Sequence, residues 1–401
     1  MKKLLMLGGA HFQVPAIKAA KEMGHFIITC DNLEDNPGHK YSDKYYNVST
    51  TDKEAVLELA KSLQIDGIMC YAADSGAPTV AYVAEKLGLP SHPYESTEIL
   101  VYKDKFREFQ RKKGFNVPKS KVYNTFEEAK ADFHNFTMPV MIKPVDSSGS
   151  KGISKVDSIE SLEEKVEIAL KFTKAGRFLM EEYIENYGPH VGGDGFCVNG
   201  QLVFRCFSNE YFSTNHINPF VPIITTWPLI LPEHIQNKIH DEVQKVLTLL
   251  NMKTGALNFD IRVDSKENVY LIEIAPRNGG AWNPNAITYA TGVDTIKYSI
   301  KAALGERCNE LAFSNTRGYW ATYVINSMVS GVFKGIDIHE AYKENIVEYE
   351  LVVKRGDHIS PLSGAHEQVG LMILTFSSME EMIDKMNNIT NNVKVILENE
   401  Y

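Results

Sequence analysis

"ALNFDIRVDSKENVYLIEIAPRNGG", residues 256–280, alternates apolar and polar side chains on either side of a short polar run, then breaks at Pro276. That period-two pattern around a four-residue loop, Ser265 to Asn268, predicts a β-hairpin with one buried face. If Asp264 faces Val269 across the loop, Asp260 stands directly opposite Glu273. Like charges across an antiparallel pair repel, so the pairing is expected where a cation is held between the acids or where one of them is protonated. Hard oxygen ligands without His or Cys point to Mg2+, which one or two carboxylates hold together with substrate phosphates. A register slipped by one residue turns one acid to solvent instead and needs no metal. The strand delivers Arg277 four residues after Glu273, followed by the flexible Asn278-Gly279-Gly280 turn.

Upstream, "MPVMIKPVDSSGSKGISKV" ends an apolar run at Lys143 and continues into Ser147, Ser148, Gly149, Ser150 and Gly152. Small residues let backbone N–H groups approach an anion, so this loop reads as a phosphate flap or as a plain solvated turn. It is no Walker A loop, because the G-x-x-x-x-G-K-[ST] spacing is absent. "RFLMEEYIENYGPH" ends an apolar strand at Glu181-Glu182 and runs into Tyr183-Ile184, a hinge able to present backbone groups to a purine edge. Lys105, in "VYKDKFREF", precedes a helical stretch and taken singly reads as a surface lysine.

The whole chain of 401 residues, 44% hydrophobic, suggests two to three domains with real cores. A net charge of −9 leaves no global basic field, which argues against a nucleic-acid partner. Cys30, Cys70, Cys197, Cys206 and Cys308 lie far apart without a C-x-x-C pair, a usage that fits a reducing cytoplasm. No apolar run approaches the roughly 18 residues of a membrane span. Residues 1–101 alternate short apolar runs with helical stretches, the pattern of a Rossmann-like parallel sheet. Gly8-Gly9 after the first strand and Asp31 after the second partly match a dinucleotide fingerprint, but Gln13 stands where a helix-packing glycine is needed. Residues 102–310 are α+β, with Asn199-Gly200 marking a type I′ hairpin, and residues 311–401 return to short strands plus a helix opened by the Ser378/Glu381 capping box. Along that helix Met379, Met382, Ile383 and Met386 recur at core-packing spacing.

Taken in order, "GGAHFQVPAI", "KDK", "VMIKPVDSSGSKGI", "LMEEYIE", "VGGDGFCVNGQLVF" and "ALNFDIRV…LIEIAPRNGG" resemble the ATP-grasp superfamily, in its carboxylate–amine ligase branch. The final stretch, with "VKRGDHI" and "GLMILTFSSMEEMIDKM", is similar to the C-terminal domain of L-amino-acid ligases, and the chain as a whole resembles carbamoyl phosphate synthase and biotin carboxylase-like members. The resemblance implies an α/β and α+β chain: a Rossmann-like domain over 1–101, an ATP-grasp domain over 102–310 with a lid at about 115–185, and a small α+β domain over 311–401. It implies ATP and Mg2+, with Mn2+ as a substitute, held as follows. Lys105 and Lys143 would contact the phosphates under a flap of Ser148, Gly149, Ser150 and Gly152; Glu181, Glu182, Tyr183 and Ile184 would meet adenine, and His190 would stand at the ribose. Asp260 and Glu273 would bind metal, with Ala275 where the family often has a third ligand; Arg277, assisted by Asn278 and Lys143, would stabilise an acyl phosphate. Small carboxylate and amine substrates follow from this, with Tyr211 and His216 as acceptor-side candidates and a homodimer left open. Two rival readings remain: an oxidoreductase with nucleotide at Gly8-Gly9, and a non-catalytic nucleotide-binding module.

Overall fold

Four N-terminal runs form a parallel sheet in the order Lys44–Tyr46, Phe26–Cys30, Lys3–Leu7, Gly67–Cys70 in the computed structural model, which describes residues 1–213 and 217–398. His216 lies outside the described residues. Gly8 adopts φ +102°, as a tight strand-to-helix turn requires. The space above that turn is filled by the protein itself. A Cβ on Gly9 would lie 2.2 Å from the His39 ring, and one on Gly8 would lie 3.1 Å from the Gln13 side chain. Asp31 accepts from Gly9 N–H at 3.1 Å and from the Asn36 amide at 2.8 Å, so it closes its own loop. A dinucleotide would have to displace these groups.

The central element is an eight-stranded sheet in the order Val269–Ala275, Gly255–Val263, His190–Val198, Gln201–Phe212, Pro222–Trp227, Tyr319–Ile325, Gly370–Phe376, Ile346–Leu351. Strands from both sides of residue 311 therefore share one sheet. One buried cluster, centred on Trp227, Tyr323 and Met372, packs the C-terminal half; another packs the helix Glu233–Leu249 through Ile235, Ile239, Val243 and Val246, an i, i+4, i+8, i+11 stripe. In the C-terminal helix Met379–Asn387, Ser378 accepts the Glu381 N–H as the capping box predicts. Met382 and Met386 are buried there, whereas Ile383 faces outward. Asn199 and Gly200 both have positive φ, 51° and 80°, which makes the expected tight hairpin.

The hairpin of residues 255–275 pairs in a way the sequence pattern only partly anticipates. Val263 faces Val269, one residue off the expected pairing at the turn, and a bulge between Asp260 and Ile261 shifts the register back. Asp260 is thereby set opposite Glu273, with Ile272 as the extra residue. Over the hairpin stands an antiparallel four-stranded lid sheet, Ser120–Tyr123, Phe178–Glu182, Val140–Pro144, Ser154–Val156. The helix Lys103–Lys112 carries a buried face of Lys103, Phe106, Arg107 and Gln110 and reaches the hairpin, where Arg107 donates to the Ile272 carbonyl and Gln110 to that of Leu271.

Candidate active site

The facing strands leave both hairpin acids half-exposed, and each finds a different cationic or hydrogen-bonding neighbour. Lys103 Nζ lies 3.4 Å from Glu273 Oε2, while His190 Nε2 lies 2.7 Å from Asp260 Oδ1. Burial raises the Asp260 carboxyl, but His190, Lys143 and Arg262 more than offset it and leave it below the usual carboxylate range. Among the described residues no three His, Cys, Asp or Glu side chains converge as a metal cage. Ala275 is buried, its side chain offers no oxygen, and its carbonyl accepts from Arg277 N–H at 2.9 Å. Two carboxylates that leave most of a coordination shell to phosphates and water are a donor set suited to Mg2+.

Lys143 ends its strand buried, as expected, and its ammonium is 2.5 Å from Glu181 Oε1. Glu181 is also bonded to Arg107 Nε at 2.8 Å. Burial would raise the Glu181 carboxyl; the two cations outweigh it and bring it down to about 2. Burial in turn pushes the Lys143 ammonium down, with Glu181 opposing. Glu181 thus ties Lys143 of the lid to Arg107 of the helix Lys103–Lys112. Lys105 is outside this group: it is exposed and paired with Glu98 at 2.8 Å. The lysine in the cleft is Lys103, whose Nζ also donates to the Ser147 carbonyl at 2.7 Å. A helical phase of 103, 106, 107 and 110 on the buried face separates the two lysines and was the signal available for it.

The flap bends through three left-handed residues, Gly149, Ser150 and Gly152, at φ 64°, 60° and 73°. It is fastened where Ser150 Oγ donates to the Phe220 carbonyl and the Asn218 amide donates to the Ser150 carbonyl, both at 2.7 Å, next to Ser148. At the hinge, the Glu182 carboxylate accepts from Thr137 N–H at 2.8 Å, away from the cleft. Tyr183 lies under the Arg262 guanidinium, whose Nη1 donates to the Ile184 carbonyl at 2.5 Å. His190, expected at a ribose, is tied to Asp260 and lies 3.8 Å from Glu210 Oε2. Tyr211 sits beside Glu210 on the strand Gln201–Phe212.

Arg277 leaves the hairpin into a set of partners from three parts of the chain. Its Nε donates to Asp74 Oδ1 at 2.6 Å, and its Nη1 donates to Asn258 Oδ1 at 2.8 Å and to the Asn278 carbonyl at 3.0 Å. Asn258 donates in turn to Asp194 Oδ1 at 2.8 Å, and Asp194 accepts Gly279 N–H at 3.0 Å. Burial pushes the Asp194 carboxyl up to about 6, against these donors and Arg277. A Cβ on Gly279 would lie 2.6 Å from Asp194 Oδ1, so the close approach requires glycine. The Asn278 side chain points elsewhere, bonded to Ser299 and Thr295. Asp74, Asp194, Asn258, Arg107 and Lys103 are the polar residues of this constellation that pattern reading did not find.

Residues 136–285 match the ATP-grasp domain family. An uncharacterized protein of Sinorhizobium fredii, y4rH, is 28% identical over 65% of this chain and 54% of its own length. The carbamoyl phosphate synthase large chain of Thermoanaerobacter pseudethanolicus is 24% identical over 77% of this chain and 28% of its own. The chain thus spans about half of the first relative and about a quarter of the second. Among solved structures, the L-amino acid ligase of Bacillus licheniformis superposes with a TM-score of 0.83 at 22% identity, over 100% of this chain and 99% of that one. Phosphoribosylglycinamide synthetase of Anaerococcus prevotii follows with 0.77 at 24% identity over 99% and 100%. The biotin carboxylase domain of Hydrogenobacter thermophilus 2-oxoglutarate carboxylase, in complex with MgADP and bicarbonate, gives 0.77 at 20% over 99% and 91%. A lid of antiparallel strands stands over a hairpin that opposes two carboxylates, and residues 136–285, which hold that hairpin, match the ATP-grasp domain family.

Proposed function

We propose that the protein is an ADP-forming ligase that joins a small carboxylate to an amine, using ATP and Mg2+ or Mn2+. The observation that carries the reading is the register pairing of Asp260 with Glu273, with Lys103 on Glu273 and Lys143 near Asp260, inside an ATP-grasp domain. Asp260 and Glu273 would hold the metal, which when bound neutralises phosphate charge. Lys103 and Lys143 supply further positive charge to the phosphates, and the Ser148–Gly152 flap closes over them. Tyr183 and Ile184 form the hinge wall on which adenine would rest, with Arg262 stacked behind it.

In this reading a carboxylate oxygen attacks the γ-phosphorus, the bond to the β–γ bridging oxygen breaks, and ADP leaves. The amine then attacks the acyl carbon, phosphate leaves with one former carboxylate oxygen, and the amine loses a proton. Arg277, held at Nε and Nη1, presents its guanidinium to the charge that develops on phosphoryl and acyl oxygens. Gly279 and Gly280 let backbone approach the same region. No helix among the described residues is long and apolar enough to cross a membrane. The test is a screen of carboxylates crossed with amines in ATP and Mg2+, reading ADP and phosphate. Equal ADP and phosphate that require both substrates support the reading; AMP and pyrophosphate contradict it.

A further inference from the structure

Behind the Arg277 loop, where the N-terminal sheet meets the hairpin, lies a cavity of about 70 Å3. None of Lys103, Lys143, Glu181, Asp260 or Glu273 lines it; of the groups assigned to the chemistry it touches only the Pro276–Asn278 turn. Its polar wall includes Ser91, His92, Thr97, Thr254 and Ser299, and among the described residues no Asp or Glu faces it. The rest of the lining is mostly apolar, from Ile68, Met69, Ala77 and Val80 on one side to Ala256 and Ala303 on the other.

His92 and Thr97 are 8% and 1% exposed. His92 Nδ1 accepts from Lys253 N–H at 3.1 Å, which assigns the ring proton to Nε2. Burial lowers the imidazole to about 4, so at neutral pH the ring is uncharged and Nε2–H is a fixed donor. Neither His92 Nε2 nor Thr97 Oγ1 has a hydrogen-bond partner among the described residues. A buried polar atom left unpaired is costly, so two on the wall of one cavity mark an occupant that bonds to both. Gly255 keeps the space open, since a Cβ there would lie 2.6 Å from His92 Nε2. Among the described residues the wall offers the His92 N–H, hydroxyls and the Arg277 guanidinium, whose Nε is paired with Asp74, and no carboxylate, so an occupant with acceptor oxygens matches the donors and a negative one meets no like charge on the wall.

We infer that this cavity is a binding site for a small carboxylate of roughly two to three carbons, separate from the ATP cleft, with His92 Nε2–H and Thr97 O–H donating to its oxygens. The acid lies against Pro276–Asn278 and so contacts the turn that carries Arg277 from the N-terminal side. It is retained, not consumed.

The experiment measures melting temperature at constant ionic strength against acetate, propionate and the neutral isostere acetamide, in the wild-type chain and in Thr97→Val. The valine keeps the shape and removes an unpaired hydroxyl, so the unliganded variant should melt at the same temperature or higher. A saturable rise with acetate or propionate, with at least tenfold weaker half-saturation in Thr97→Val and in acetamide, is the expected result. No saturable shift, equal shifts in both proteins, or acetamide acting as well as acetate would overturn the assignment. Acetate or propionate driving ADP formation that Thr97→Val abolishes would make the cavity the substrate pocket and overturn its separateness.

Discussion

Arg277 Nε donates to Asp74 Oδ1 at 2.6 Å across 203 residues of sequence, joining the N-terminal domain to the turn that follows the hairpin of Asp260 and Glu273. A guanidinium held at one edge keeps its remaining donors aimed in a fixed direction. Replacing Arg277 by lysine keeps charge but loses the planar fork, so turnover should fall by roughly 100- to 1,000-fold, or about 2.7–4 kcal/mol. Asp74→Asn should lower kcat by a smaller factor with KM for ATP little changed. An Arg277→Lys enzyme that melts early yet turns over normally would assign the arginine to the fold alone.

Lys103 and Lys105 stand two residues apart on one helix but face opposite environments. Lys103→Ala removes the ammonium beside Glu273 and should weaken ATP binding at least tenfold by calorimetry. Lys105→Ala breaks an exposed pair with Glu98, an interaction worth about 1 kcal/mol or less, and should leave ATP affinity within about twofold. The reverse ranking would move the phosphate site.

The Glu181 carboxyl, held down to about 2 by Arg107 and Lys143, has a folded value below its unfolded one. Its contribution to stability is therefore fully present above about pH 4.5 and is lost as pH falls toward 2. Glu181→Gln should flatten this part of the acid-unfolding curve while lowering stability at pH 7, because it leaves Arg107 and Lys143 without their counter-charge. Denaturant unfolding from pH 2 to 7 measures both effects.

Asp194 has the opposite sign. Its carboxyl is raised by burial to about 6, so the folded state holds its proton more tightly than the unfolded chain does. Its contribution is best below about pH 4 and declines as pH rises through 6, after which it is flat. Asp194→Asn should lose more stability relative to wild type at pH 4 than at pH 7. A difference independent of pH would show that Asp194 does not titrate in this range.

Much of the site follows from local pattern, because its strands and glycines are set by neighbours in sequence. Asp260 and Glu273 are legible as opposed acids, whereas the turn pairing at Val263 and the bulge at Ile272, which cancel, leave no mark in the period-two pattern. A bulge depends on tertiary partners, here the Arg107 and Gln110 side chains that take the Ile272 and Leu271 carbonyls, and no period-two pattern encodes it. The "KDK" run marks Lys105 as a cation before a helix, and the phase of the buried face separates it from Lys103. Asp74 and Asp194 meet partners 203 and 85 residues away, so only folding reveals them. At Gly8-Gly9 the sequence shows Gln13 in place of a helix-packing glycine, whereas the His39 ring against Gly9 appears only on folding.

The central claim is that a carboxylate is activated as an acyl phosphate, and oxygen transfer tests it most directly. With the substrate acid labelled with 18O in its carboxylate, turnover with ATP and the amine should release phosphate that carries one labelled oxygen per molecule, with ADP unlabelled. Unlabelled phosphate, or label appearing in AMP, would contradict the account.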